Sequence, residues 1–117
     1  MNKRTIGTTY EQVALKFLQK KGYEILETNF RCRFGEIDLI AKDGEYLVFV
    51  EVKFRSSKES GTPQEAVDYK KQRIISKVAT FYCMKHNCYD QIPCRFDVVA
   101  ILKSEIELIQ DAFEYQM

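Results

Sequence analysis

Hydrophobic positions recur at two spacings along this chain, and the spacing changes where helices give way to strands. Near the start, apolar side chains repeat at the helical period across residues 13–18, and the repeat stops at Gly22. This pattern predicts a first helix over residues 8–22. Thr8 followed by Glu11 fits a capping box at the start of that helix.

After the first helix the period falls to two, which is typical of β-strands with one buried face. Two strand segments flank Asp43-Gly44, a dipeptide that favours a tight hairpin turn. A later apolar run, FDVVAIL, has the composition of a buried strand, and within it Asp97 shares a face with Arg95, so we expect these two residues to pair. The predicted strands are residues 23–31, 35–42, 45–55, 96–102 and 106–109.

A second helix is predicted from Thr62 to about Lys85. Thr62, Pro63 and Glu65 supply an N-cap, a proline suited to the first turn and a capping-box partner. The polar segment 87–93 ends the helix. The apolar stripe of this helix includes Val67, Ile74, Val78 and Phe81.

The order of these elements, α-β-β-β-α-β-β, favours an α/β fold in which a single mixed sheet is flanked by helices. A length of 117 residues with 45% hydrophobic content suits one domain spanning residues 1–117. No apolar run reaches the roughly 18 residues of a membrane-spanning helix, and no secretion signal is recognisable. We therefore expect a cytoplasmic protein that does not bind membranes.

Charge and cysteine content narrow the functional classes. Eighteen basic and seventeen acidic residues give a net charge of +1, so any binding to a polyanion must be local. Seven basic residues against three acidic ones lie between Lys53 and Lys77, a segment that suits either nucleic-acid contact or a solvated helix face. The four cysteines lack paired Cys-x-x-Cys spacing, so we expect reduced thiols rather than a zinc site.

The predicted hairpin carries the residues that point to chemistry. Glu51 and Lys53 share one face of a strand whose neighbouring positions are apolar. If Asp43 and Gly44 form a two-residue turn, Asp38 lies diagonal to Glu51 on the same face, with backbones about 7–8 Å apart. A four-residue loop preserves this arrangement, whereas a three-residue loop turns Asp38 away.

Two carboxylates at that spacing suit a Mg²⁺ or Mn²⁺ ion, because these ions prefer oxygen ligands. Asp38, Glu51 and the backbone carbonyl of Val52 are the predicted ligands. Lys53 would orient the attacking water of a phosphodiester hydrolysis and offset negative charge. The alternative is an ordinary surface pair between Glu51 and Lys53, worth under about 1 kcal/mol. The apolar strand favours the functional interpretation, because unpaired charge in a central strand is costly.

Residues beyond the hairpin extend this candidate site. Glu11 lies beside apolar helix positions, so it either caps the first helix or faces the site as a further catalytic acid. Lys70, Lys71 and Gln72 lie near the edge of the apolar stripe of the second helix, where they either contact nucleic acid or stay solvated. Arg55 is a further candidate contact to nucleic acid.

A collinear set of motifs extends over nearly the whole chain. It comprises Gly7 with Glu11, Asn29 with Arg31, GEIDLI (35–40), VFVEVKFR (48–55), Gly61 with EAV (65–67), Lys71-Gln72, CRFDVVAI (94–101) and DAF (111–113). In these motifs the chain resembles the YraN-like family of bacterial proteins, which is described as a family of endonucleases in the PD-(D/E)xK, or restriction-endonuclease-like, superfamily.

The resemblance implies roles for individual residues. Asp38, Glu51 and Lys53 take the catalytic positions of the superfamily. Glu11 takes the position of its helix-one acid, and Lys71-Gln72 that of the polar motif in its second helix.

The resemblance also implies a restriction-endonuclease-like core and a metal-dependent endonuclease that hydrolyses DNA. The superfamily includes archaeal Holliday-junction resolvases, so branched or structured DNA is the implied substrate and a homodimer is plausible. The alternative is a non-catalytic module that uses the same fold to bind nucleic acid or a repair or recombination partner. A near-neutral charge and a short chain favour that alternative.

Overall fold

The computed structural model describes residues 3–54, 67–86, 92–102 and 105–116, with the backbone alone for residues 3–8. No helix in these ranges has the length and apolar content needed to cross a lipid bilayer. The elements are α1 (Lys3–Lys20), β1 (Glu24–Cys32), β2 (Gly35–Asp43), β3 (Tyr46–Phe54), α2 (Tyr69–Lys85), β4 (Cys94–Leu102) and β5 (Glu105–Ile109).

The five strands form one open sheet in the order β1-β2-β3-β4-β5. Strands β3 and β4 are parallel, whereas the other neighbouring strands are antiparallel. Helix α2 lies between β3 and β4 in the chain, and so belongs to the crossover that a parallel pair requires. The predicted α/β class, element order and single mixed sheet are confirmed.

Each face of the sheet carries its own apolar core. On one face, Leu18 of α1 belongs to the same buried cluster as Val50 of β3. On the other face, Phe49 packs edge-on against Tyr82 of α2, with ring centroids 5.9 Å apart. Because successive strand residues alternate between faces, Glu51 points to the α2 side together with Phe49.

Helix α1 begins earlier than the sequence pattern predicts. The helical backbone starts at Lys3, so Thr8 lies inside the helix. The capping box of Thr8 and Glu11 is therefore wrong, because an N-cap residue must have non-helical backbone angles. The helix ends at Lys20, and Gly22, with a φ of 95°, supplies the left-handed position that follows it.

Helix α2 begins one residue after Asp68, whose Oδ1 accepts the Lys71 backbone N–H at 2.8 Å. Asp68 is therefore its N-cap. The cap predicted at residues 62–65 lies outside the described residues. Val67 was expected on the helix stripe, and this is wrong, since Val67 precedes the N-cap and is buried in the core there. The helix ends at Lys85, as predicted.

Gly35 allows α2 to pack closely against the start of β2. Its φ is 149°, and a Cβ atom built on Gly35 would lie 2.6 Å from Cγ2 of Ile74. A glycine is therefore needed for both the backbone angle and the close approach. Ile74 lies one helical turn beyond Lys71, so this contact fixes the part of α2 that carries Lys71.

The hairpin between β2 and β3 has a different turn from the one predicted. Asp43 pairs with Tyr46, so the two turn residues are Gly44 and Glu45 rather than Asp43 and Gly44. Gly44 has a φ of 61°, which glycine adopts without strain. Asp43 stays in the strand, where its carboxylate accepts a hydrogen bond from Arg95 at 2.8 Å.

The shifted turn changes which residues of β2 and β3 lie opposite each other. It does not change which of them share a face, because the loop still has an even number of residues. Leu39 lies opposite Val50, and one further step along this register sets Asp38 level with Glu51. The even loop length on which the shared face depended is therefore present. The diagonal placement of the two acids is wrong, and the corrected register brings them closer together.

Arg95 and Asp97 pair as predicted. Arg95 Nε donates to Asp97 Oδ1 at 2.9 Å, and Asp97 is completely buried. The carboxylate also accepts the Tyr23 hydroxyl at 2.7 Å and the Asp111 backbone N–H at 2.9 Å. These bonds tie β4 to the start of β1 and to the segment after β5.

We expect Asp97→Ala to lower the free energy of unfolding by about 3–5 kcal/mol, because largely buried Arg95 keeps only Asp43 as a partner and the Tyr23 hydroxyl and Asp111 N–H lose their buried acceptor. Urea denaturation measures this change. Exposed Glu107 on β5 is the control, and Glu107→Ala should stay within about 0.5 kcal/mol of wild type. Equal effects of the two substitutions would contradict the role of Asp97.

Candidate functional site

The candidate site lies where β2 and β3 separate. Their pairing ends at Leu39 and Val50, whereas each strand stays paired with its outer neighbour beyond this point. Asp38 is the next residue of β2 on the separated side. Its carboxylate accepts the Val52 backbone N–H at 2.8 Å. A side chain therefore satisfies a backbone donor that has lost its strand partner.

Glu51 is a buried carboxylate with two cationic neighbours. Its exposed fraction is 5%. The Nζ atom of Lys53, two residues along β3, lies 3.6 Å from Glu51 Oε2, and the Nζ atom of Lys71, from α2, lies 3.4 Å from the same oxygen. A carboxylate this deeply buried needs such compensation to stay charged. The structure thus brings Lys71 to the predicted pair of Glu51 and Lys53.

Asp38 shares its surroundings with Glu51. Burial is the largest effect on Asp38, followed by the charge of Glu51 and a hydrogen bond with it, and together they raise the pKa of Asp38 to about 7. The hydrogen bond from Val52 and the charge of Lys71 act in the opposite direction. A carboxyl with a pKa near neutrality can gain or lose a proton, or a cation, under physiological conditions.

Glu11 and Glu36 form an acidic group with Asp38. One carboxylate oxygen of each residue lies within 4.8 Å of the other two, a spacing that could hold a metal ion. Burial raises the pKa of Glu11, a hydrogen bond with Asn29 lowers it, and the charges of Asp38 and Glu36 raise it. Glu36 also pairs with Arg31 at 3.1 Å. Glu11 therefore faces the site from α1, which was one of its two expected positions.

The other predicted residues have different surroundings. Because the N–H and C=O of a strand residue point to the same edge, the carbonyl of Val52 faces the gap between β2 and β3. Gln72 Nε2 donates to the Val67 carbonyl at 2.8 Å, so Gln72 acts at the entry to α2. Lys70 is exposed on α2, and Arg55 lies outside the described residues.

Two residues near Asp38 were not predicted as site residues. Glu36 precedes Asp38 by two positions in one strand, and this spacing was the available signal. Asn29, which hydrogen-bonds Glu11, has a φ of 52° within β1. Asparagine tolerates this left-handed conformation, but an alternating strand pattern gives no sign of where it will occur.

These observations define a small α/β domain with a site of carboxylates and lysines at a fork in its mixed sheet. The chain belongs to the family described as Uncharacterised protein family UPF0102, whose model matches residues 10–101. This is the YraN family that the sequence motifs resemble, and the matched segment includes every residue of the candidate site.

Similar proteins match along nearly all of both chains. A protein of Lachnoclostridium phytofermentans named UPF0102 protein is 49% identical over 114 residues, covering 97% of this chain and 97% of the relative. A UPF0102 protein of Syntrophus aciditrophicus is 55% identical over 117 residues, covering 97% and 91%. One from Caldicellulosiruptor bescii is 50% identical over 119 residues, covering 97% and 100%.

The raised pKa of Asp38 links the stability of the fold to pH. An unfolded aspartate has a pKa of about 3.9, whereas Asp38 titrates at about 7 in the fold. A carboxyl whose pKa is raised by folding favours the folded state while it is protonated. Its contribution is present below about pH 4 and is lost as the pH rises through about 7.

We expect Asp38→Asn to be more stable than wild type by about 2–4 kcal/mol at about pH 8, and to differ little at about pH 4. The asparagine cannot ionise, yet it keeps an oxygen for the Val52 N–H. Urea denaturation of both proteins across this range measures the difference. The same dependence on pH in both proteins would show that Asp38 titrates normally.

Lys71→Met should raise the pKa of Asp38 further, because a positive charge that favours ionisation is removed. Carbon NMR of the Asp38 carboxyl during a pH titration measures this shift. Exposed Lys70 is the neighbouring control, and Lys70→Met should leave the titration unchanged. Identical shifts in the two variants would argue against a specific effect of Lys71.

Proposed function

We propose that this protein is a metal-dependent endonuclease that hydrolyses DNA phosphodiester bonds at the fork between β2 and β3. The convergence of Asp38, Glu51 and Lys53 at one largely buried place carries this proposal. Carboxylates that lie this close together, away from bulk water, favour a shared proton or a bound cation.

The proposed metal ligands are Asp38, Glu51 and the Val52 carbonyl, which would hold a Mg²⁺ or Mn²⁺ ion through oxygen atoms. Glu11 and Glu36 offer further carboxylate oxygens beside Asp38. When bound, such an ion neutralises charge on the phosphate and lowers the pKa of a coordinated water. The raised pKa of Asp38 is consistent with this role, because a nearby cation would favour its ionised form.

Lys53 is the proposed catalytic lysine. Its ammonium lies 3.6 Å from Glu51, and one third of its side chain, 33%, is exposed. Lys53 can therefore contact both the acids and a substrate that arrives from solvent. Its roles would be to orient the attacking water and to offset the negative charge that builds on the phosphate. Lys71, at 3.4 Å, would hold the Glu51 carboxylate in position from α2.

The proposed substrate is DNA, and the resemblance to junction-cleaving enzymes favours branched or structured DNA. Lys70, which is exposed beside Lys71, and Arg55, which follows β3, are the proposed contacts to the phosphate backbone, together with Gln72. A homodimer would place two such sites on one branched substrate. Because the net charge is only +1, these local contacts would carry the electrostatic attraction.

A second function is supported by the ion pairs of Glu51. Both lysines already compensate this carboxylate through Oε2, so its charge is balanced without a divalent cation. A non-catalytic module that binds nucleic acid, or a repair or recombination partner, would keep these pairs intact. The two functions therefore differ in whether Asp38 and Glu51 bind a divalent cation.

We expect the protein to cleave flap or four-way-junction DNA when Mg²⁺ or Mn²⁺ is present. Lys53→Ala should lose at least about 100-fold in rate, because charge on the phosphate is no longer offset. Gel analysis of labelled substrates measures the rate, and Lys42→Ala, at an exposed position of β2, is the control that should keep it. A wild-type protein inactive on duplex, flap and junction DNA with either ion would contradict the nuclease proposal.

Mn²⁺ should raise the Tm of the wild-type protein, since an ion that binds only the folded state stabilises it by about 2.7 kcal/mol at 100 times its Kd. Asp38→Asn should lose this shift, whereas Glu24→Gln, at an exposed position of β1, should keep it. Salt-dependent DNA binding that is lost in the double variant Lys70→Ala/Lys71→Ala, without any Mn²⁺ shift in wild type, would support the non-catalytic module.

A further inference from the structure

Two thiols face one cavity away from the acidic site. Cys94 begins β4 opposite Leu47 of β3, four residues before Glu51. Cys83 lies in the last turns of α2, and both cysteines line a cavity of about 470 Å³. Aromatic side chains, including Phe96, form part of its wall. A cavity of this size admits a small molecule.

The two sulfur atoms are already close to bonding distance. The Sγ atoms of Cys83 and Cys94 lie 3.9 Å apart, in a contact where either thiol can donate. A disulfide needs about 2.05 Å, so the atoms must approach by about 2 Å. Cys83 lies in the last turns of a helix and Cys94 at the start of a strand, so closure requires movement only where these two elements end and begin.

The two thiols differ in exposure. Cys94 is exposed, whereas Cys83 is 5% exposed. The hydrogen bond with Cys83 lowers the pKa of the Cys94 thiol, and partial burial acts in the opposite direction. Because the thiolate is the nucleophile, Cys94 is the better placed of the two to attack an incoming electrophile.

The described ranges bring two possible metal ligands together here, the sulfur atoms of Cys83 and Cys94. Within the described ranges, no third histidine, cysteine or carboxylate joins the two sulfurs at the spacing that would hold a metal ion. A structural zinc site requires four ligands, and this pair supplies two.

We propose that Cys83 and Cys94 form a reversible disulfide when a low-molecular-weight disulfide enters the cavity. The Cys94 thiolate attacks one sulfur of the reagent, forming a mixed disulfide and releasing one thiol. Cys83 then loses its proton and attacks Cys94 Sγ, which releases the second thiol. The two cysteines lose two electrons and two protons, and the reagent is reduced to two thiols.

The bond would join the last turns of α2 to the first residue of β4. Lys71, which pairs with Glu51, lies at the other end of α2. Oxidation would therefore restrict the movement of the helix that positions the Lys71 ammonium. The acids Asp111 and Glu114 line the cavity together with one cation, Arg95, which is paired with Asp97 and Asp43. An uncharged reagent therefore suits it better than an anionic one, because the acids do not repel it.

Hydroxyethyl disulfide is the probe, added to the reduced full chain, followed by denaturation, alkylation of remaining thiols and intact mass measurement. We expect the protein to lose two of its four alkylation sites without gaining a hydroxyethylthiol group, and to recover both with dithiothreitol. The variant Cys88→Ser should behave in the same way, losing two of its three sites.

Single variants identify the order of attack. Cys83→Ser should stop at a mixed disulfide on Cys94, whereas Cys94→Ser should leave Cys83 unmodified. A bond that disappears in Cys88→Ser, or that still forms in Cys94→Ser, would overturn the proposal in favour of another pair. Release of one equivalent of zinc when Cys94 reacts would overturn it in favour of a metal site.

Discussion

The hydrogen bond between the Asp38 carboxylate and the Val52 N–H is the interaction on which the candidate site depends. It replaces the pairing that β2 and β3 lose where they separate, so the sheet opens without leaving this backbone donor unpaired. The opening lets residues from both faces of the sheet reach the neighbouring acids Asp38 and Glu51. Glu11 approaches Asp38 from α1, and Lys71 approaches Glu51 from α2.

The charges around this fork divide into an acidic side and a basic side. Glu11 and Asp38 lie on the acidic side, where burial and like charge raise the pKa values of both carboxyls. Lys53 and Lys71 lie on the basic side, where they compensate the buried Glu51. In the proposed function Asp38 and Glu51 would hold a divalent cation where the two sides meet, and Lys53 would contact the phosphate. The family model matches residues 10–101, so all of these acids and lysines lie in the segment that this chain shares with its family.

Strand periodicity was sufficient to predict the sheet and the shared face of Glu51 and Lys53, because alternation is a local property of the chain. It also predicted that Asp38 lies on the face of Glu51 and Lys53. The turn lies one residue later than predicted, but the loop length is still even, so this prediction holds. The start of α1 was missed because the capping pattern at Thr8 occurs inside a helix, where it has no capping role. The bond from Val52 to Asp38 depends on where two strands part, which is a property of the folded sheet and not of either strand sequence.

The most direct test of the proposed site is a crystal structure with Mn²⁺ in which anomalous scattering locates the ion. The proposed site predicts a peak within about 2.2 Å of oxygen atoms of Asp38, Glu51 and Val52. A map with no peak at this fork at millimolar Mn²⁺, in which Lys53 and Lys71 both remain paired with Glu51, would contradict it.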